Sequence, residues 1–265
     1  MEKREWWRAK PRRAAYCPLK AERSSFGRQF EAQPFGQSAA RGFTSPLLER
    51  IQHDFKQIGL LQGHAIYEPG DQIDQIYFPQ SGMISLLVVA KDGGAIETAT
   101  IGREGAVGLH SAIGKRASFT RATIQIPGKF SVIRDTAFAQ SVQNHAPVRD
   151  LIARYTEVLW AEAQQIAACN AVHDGPARLC RWLLQTSDRI GSNDLPLTQE
   201  LIAQMLGVRR TTVTLLAQSL QRKGVIQYAR GHITILDRGH LEHCACECYA
   251  IMQQEKLPLK LGVRF

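Results

Sequence analysis

Apolar residues between Pro46 and Arg134 come in short runs broken at intervals of about ten positions by Gly, Pro, Asp and Ser. The turn signals are Pro69-Gly70-Asp71, Gln80-Ser81-Gly82, Lys91-Asp92-Gly93-Gly94, Gly102, Gly114 and Pro127-Gly128. Ahead of them, Pro46 to Ile58 reads as a short amphipathic helix. The runs between them, Ile73 to Phe78, Met83 to Val89, Ile96 to Ile101, Ala122 to Ile126 and Phe130 to Arg134, are rich in Ile, Val, Phe and Thr. Short strands with regular turn chemistry predict a small antiparallel barrel or sandwich. After Thr136 the period lengthens. From Pro147 onward Val148, Leu151, Ile152, Tyr155, Val158, Leu159, Glu162 and Ile166 recur at spacings of three and four, which predicts one long helix with a continuous stripe. Such a stripe either packs on its own barrel or pairs with a second copy, because a coiled-coil seam uses the same spacing. His173-Asp174-Gly175-Pro176 interrupts it, and Pro176 suits the first turn of a new helix through Arg178, Leu179, Trp182, Leu183 and Ile190.

Residues 195–226 read LPLTQELIAQMLGVRRTTVTLLAQSLQRKGVI. Thr198 is a good N-cap; Leu201, Ile202, Met205 and Leu206 form one apolar face; Gly207 supplies the left-handed residue that ends the helix. A second helix starts near Arg209, buries Val213, Leu216 and Leu220, and ends by Gly224. Two short helices joined by a tight Gly turn make a helix-turn-helix. The start of the second helix presents Arg209, Arg210, Thr211, Thr212 and Thr214, with no acidic residue between Glu200 and Asp237. Arg can donate two hydrogen bonds to guanine O6 and N7, and Thr can bond a base edge or touch the thymine methyl. A helix N-terminus also favours a phosphate. Downstream, Val225 to Tyr228 and His232 to Leu236, split at Arg230-Gly231, predict a β-hairpin wing.

Charge supports this placement once it is divided along the chain. The 265 residues carry 33 Lys and Arg against 24 Asp and Glu, a formal charge of +9. Residues 1–46 hold ten basic and four acidic residues, +6, without a sustained period, and read as a disordered basic extension. Residues 47–172 balance 11 basic against 12 acidic, −1, whereas 173–240 carry nine against five, +4. Outside the extension, the positive excess lies with the helix-turn-helix. A hydrophobic fraction of 44% excludes global disorder. The longest apolar stretch, Met83 to Ala90, is interrupted by Ser85 and is too short for a bilayer. The first residues lack a secretory pattern, so a cytoplasmic location without membrane association is expected.

These motifs together resemble the Crp/Fnr family of bacterial transcription regulators over residues 50 to 240. The sensor part is carried by IGREGAVGL at Ile101 to Leu109 and KRASFTRA at Lys115 to Ala122. The resemblance implies an α+β chain: an N-terminal β-roll or jelly-roll sensor domain like those that bind cyclic nucleotides, a long dimerisation helix, and a C-terminal winged helix-turn-helix. The corresponding segments are 1–46 (extension), 47–140 (sensor), 141–172 (dimerisation helix), 173–240 (DNA-binding domain) and 241–265 (C-terminal helix and tail). It further implies a homodimer on an inverted repeat in double-stranded DNA, with contacts to RNA polymerase. Leu151, Tyr155, Val158, Leu159, Glu162 and Ile166 would then form the dimer seam. Arg210 looks like the family Arg that reads guanine, and Thr198 and Gln199 resemble its phosphate-contacting helix start. Thr211 stands where many members carry Glu, and Leu215 where some carry a second Arg, so the operator sequence does not carry over. The competing reading is a ligand sensor whose helix-turn-helix mediates protein contacts.

Cyclic-nucleotide-binding members hold phosphate and ribose with a Gly-Glu and an Arg-Ser pair. Here Gly105 and Ala106 fall at the first pair and Arg116 and Ala117 at the second, so two polar contacts are missing. Each unmet polar group of a buried ligand costs about 1 to 3 kcal/mol, which argues against cyclic AMP and leaves the effector unidentified. Glu104 could restore a carboxylate by a shift of one residue. Arg103, Arg116 and Arg121 otherwise read as solvated or strand-paired charges. A family-type iron-sulfur cluster needs cysteines ahead of the barrel, where only Cys17 stands. At the far end, His243-Cys244-Ala245-Cys246-Glu247-Cys248 on a continuous helix would put Cys244 and Cys248 on one face with His240 and turn Cys246 away. Thiol packing, not a metal site, is the expectation there. No Gly-x-Ser-x-Gly, P-loop, Gly-x-Gly-x-x-Gly or His-Glu-x-x-His motif is present, and no enzyme activity is expected.

Overall fold

Strand alternation builds the first domain. The structure, a computed structural model, describes residues 54–91, 94–114, 117–143 and 145–256. Its strands are β1 (Lys56–Leu60), β2 (Ala65–Tyr67), β3 (Gln75–Pro79), β4 (Met83–Val89), β5 (Ala95–Ile101), β6 (Arg121–Ile126) and β7 (Gly128–Arg134). They pair in two antiparallel sheets of order β1-β7-β3 and β2-β6-β4-β5. Ile84, Ile101, Ile124, Phe130 and Val132 point into the space between the sheets and form the barrel core. The expected helix over Pro46–Ile58 is overturned in its described part, since Lys56, Gln57 and Ile58 pair with Val132, Ser131 and Phe130 of β7. The short apolar spacing there fits either element, and the free edge of β7 decides by satisfying the backbone groups. The rest of that segment, and the extension of 1–46, lie outside the described residues.

β4 explains why Met83 to Val89 is apolar apart from Ser85. Ile84 faces the barrel core, while Met83 and Leu87 belong to a second apolar cluster with Leu179, Trp182, Leu183 and Met205. Both faces of the strand are covered, and its one polar residue, buried Ser85, donates to Glu97 of β5.

The helices follow. A bracing helix (Asp135–Gln143) and the start of the long helix (Ala146–Val172) close the β1-β7-β3 sheet, through Phe138, Val142, Val148 and Ile152 against Ile76, Phe78 and Ile133. Next comes a linking helix (Gly175–Ile190), capped by Asp174, whose side chain accepts from Ala177 N at 3.0 Å. The positioning helix (Gln199–Leu206), the recognition helix (Arg210–Arg222) and a small sheet of β8 (Asp194–Leu195), β10 (His232–Ile235) and β9 (Ile226–Ala229) complete the winged unit. Two short C-terminal helices, Arg238–Cys244 and Cys248–Lys256, finish the described chain. Among the described residues no helix is long and apolar enough to cross a membrane.

Candidate nucleic-acid interface

The recognition helix is positioned by one cap and one turn. Thr198 accepts from Leu201 N at 3.2 Å and starts the positioning helix; Gly207, at φ +63°, ends it. A left-handed residue at that point turns the chain for only two residues before Arg209 caps the next helix. Val213, Ala217 and Leu220 are buried, which fixes the rotation of the recognition helix. Arg209, Arg210, Thr211 and Thr212 are therefore held outward at its first turn, all exposed. Arg178 of the linking helix donates to Leu206 O, so a cation sits at the carbonyl end of the positioning helix.

Not every residue that the sequence puts on this surface is free to read DNA. Thr214 Oγ1 donates to Gln199 Oε1 at 2.6 Å, and both are half-buried. That contact braces the two helices against each other. Thr198 differs, because its hydroxyl accepts the cap bond and keeps its own hydrogen to donate to a phosphate. The wing adds Arg230, which in the sequence marks only a turn. Arg230 and Gly231 both have positive φ (48° and 81°) between paired residues Ala229 and His232, a two-residue turn with an exposed Arg at its tip. The signal was the Arg-Gly pair itself, since a non-Gly residue is uncommon at positive φ.

The barrel residues expected to hold an effector are arranged differently. Tyr155, from the long helix, lies against Gly105, where any Cβ would run into the phenol oxygen. Its hydroxyl donates to Ala106 O at 3.1 Å and accepts from Ala106 N at 3.0 Å. Burial pushes the phenol well above its ordinary pKa, so it stays neutral. Ala106 is buried by this contact, whereas Ala117 is exposed and bridges Gln72; Arg116 lies outside the described residues. Glu104 is engaged as well, because Arg189 Nε donates to it at 3.0 Å and Arg189 Nη2 donates to Glu162 of the long helix. Arg121 pairs with Glu68 at 2.9 Å, and Arg103 reaches Arg189 O at 3.4 Å.

The stripe on the long helix faces its own chain over much of its length. Tyr155, Glu162 and Ile166 are buried, Leu159 packs on the barrel core, and Leu151 and Val158 are half-buried. Trp160, 67% exposed, is on the other side. Between barrel and winged unit, Glu97 of β5 is fully enclosed. It accepts from Ser85 Oγ and from Trp182 Nε1, both at 2.8 Å. Burial pushes its carboxyl up to about 7, against the opposing pull of those two bonds.

A β-barrel joined by one long helix to a winged helix-turn-helix defines the class, and comparison with known proteins sharpens it. Residues 177–244 match the Crp-like helix-turn-helix domain. FixK2 from Bradyrhizobium japonicum has a similar fold, with a TM-score of 0.64 at 16% identity over 72% of this chain and 98% of FixK2. The cyclic di-GMP-responsive global regulator CLP from Xanthomonas campestris gives 0.58 at 17% over 71% and 97%. A CRP/FNR-family transcriptional regulator from Thermus thermophilus gives 0.56 at 21% over 72% and 98%. No curated protein sequence matches the chain. The chain has the Crp/Fnr fold and carries a Crp-like helix-turn-helix domain, as the α+β reading expects.

Proposed function

We propose that the protein is a cytoplasmic, sequence-specific transcription regulator that binds double-stranded DNA as a homodimer and acts by binding, not catalysis. The observation that carries this reading is the exposed Arg209-Arg210-Thr211-Thr212 turn, held outward by the Gly207 turn and the buried Val213 face. Two such helices in a dimer would sit about 34 Å apart and read an inverted repeat. The homodimer is supported by the outward face of the long helix, where Trp160 leaves a large apolar ring 67% exposed. A seam there is offset from Tyr155, Glu162 and Ile166, which are occupied within the chain. The barrel would pass its signal through Glu104, Arg189 and Glu162, one charge cluster that joins sensor, linking helix and long helix. Contacts with RNA polymerase belong to the same proposal.

Selection from randomised duplexes tests it. An enriched palindrome is expected, and Arg210→Ala should lose about 1 to 3 kcal/mol at one base pair and relax specificity there. A uniform loss across sequences would make Arg210 a phosphate clamp. If no palindrome is enriched, the helix-turn-helix serves protein contacts instead.

A further inference from the structure

The end of the long helix meets the C-terminal helices at a cluster that the DNA-binding reading does not use. Cys169 and His173 stand four residues apart at the end of the long helix, where His173 N–H closes on Cys169 O at 3.0 Å. The helix Arg238–Cys244 stops at Ala245, so the chain is not helical through Cys246. That break turns Cys246 and Cys248 toward the same point, in place of the opposed directions of a continuous helix. One donor atom each from Cys169, His173, Cys246 and Cys248 then lies within 4.8 Å of every other.

We propose that Cys169, His173, Cys246 and Cys248 form a mononuclear Cys3His site for a divalent zinc-class cation, which staples the long helix to the C-terminal helices beside the junction with the DNA-binding domain. Tetrahedral zinc with bonds of about 2.3 Å to sulfur and about 2.0–2.1 Å to nitrogen separates two sulfurs by about 3.8 Å and sulfur from nitrogen by about 3.5 Å. Here Cys169 Sγ and Cys246 Sγ are 3.5 Å apart, and Cys248 Sγ and His173 Nδ1 are 3.5 Å apart. The three cysteines are free and buried, as in a closed structural site. Donors this close suit one ion, because the several irons of a cluster would spread its ligands further.

The surroundings match such a centre. His173 Nε2 meets Glu247 Oε1 at 3.1 Å, which orients the ring with Nδ1 toward the thiols, as carboxylates do for zinc-bound imidazoles. Gln165 Nε2 donates to Cys248 Sγ at 3.0 Å. A second, independent feature is Arg181, 3% exposed, whose charge acts on Cys169 and Cys246. Its Nη1 donates to Gln185, its Nε has no acceptor, and it makes no ion pair among the described residues. Three thiolates and a divalent ion carry one net negative charge, which adds to the pull of Glu97 on that buried guanidinium. Apolar packing of thiols does not account for the oriented imidazole.

Full-length protein purified without chelator under reducing, oxygen-free conditions should contain zinc at about one equivalent per chain. Replacement by Co2+ should produce the intense visible bands of tetrahedral thiolate coordination. Cys169→Ser and Cys248→Ser should abolish those bands, while Cys244→Ser, outside the four donors, should keep them. Should the buried variants fail to fold, Glu247→Gln provides the second measurement: Glu247 is exposed, and its loss should weaken metal affinity about 10- to 100-fold with the fold intact. Metal-free wild-type protein that also fails to take up Co2+ overturns the proposal, as does a Co2+ spectrum or affinity that these substitutions leave unchanged.

Discussion

Two glycines mark the two candidate sites, and they differ in what surrounds them. Gly207 turns the chain at φ +63° with nothing within 4 Å of where a Cβ would be; it serves backbone geometry alone. Gly105 has open space replaced by the ring of Tyr155, and a Cβ there would collide with the phenol. The first turn of the recognition helix thus leaves Arg209, Arg210, Thr211 and Thr212 in solvent, whereas the barrel spends Ala106 N–H, Ala106 C=O and Glu104 on partners within the chain. A position that a sequence motif offers to a ligand can be filled by a side chain from another element of the same protein. Availability of polar atoms, not their position in a motif, separates a binding surface from a structural contact.

The contrast depends on the barrel and winged unit being joined, and Trp182→Ala should test that most severely. The side chain is 2% exposed and bonds Glu97, so its removal should cost about 3 to 5 kcal/mol in denaturant unfolding. A loss near zero would mean that the two units are not packed through this contact. Next comes pH. Glu97 titrates near 4.5 when unfolded and near 7 when folded, so between these values the native state holds a proton that the unfolded chain has released. Stability should therefore fall as pH rises from about 4.5 to about 7, by on the order of 3 kcal/mol, and level off above. Glu97→Gln should flatten that slope in unfolding curves taken across the range; an unchanged slope would assign it to other groups.

Tyr155→Phe sharpens the comparison from the barrel side. It keeps the ring but leaves buried Ala106 N–H without its acceptor, at about 1 to 3 kcal/mol of stability. Equal stability of the two proteins would show that water or movement replaces the hydroxyl. The smallest effect is expected at the wing, where Arg230→Ala should weaken DNA binding evenly across sequences and lower the salt slope by about one. Loss of discrimination at a single base pair would instead make Arg230 a base reader.

Much of the helix-turn-helix was legible because its determinants are local. Thr198, Gly207 and the spacing of Val213 and Leu220 act within a turn or two of the chain, and each behaves as the sequence implies. The strands from β3 to β7 were legible for the same reason, through turn residues and β-branched runs. Other assignments depended on distant partners. Lys56 to Ile58 became a strand because β7 offered an edge. Gln199 and Thr214 share the exposed-looking side of two helices, yet the helix crossing brings them into mutual contact.

The sequence by itself determined the strands from β3 to β7, the long helix, the helix-turn-helix and the outward basic turn, since periodicity, caps and left-handed glycines are short-range properties. Only the tertiary structure decided that Tyr155 closes the space beside Gly105, that Glu162 pairs with Arg189, and that Cys169 and His173 meet Cys246 and Cys248. Those residues are tens of positions apart, and no local rule specifies a contact made only when separate elements pack.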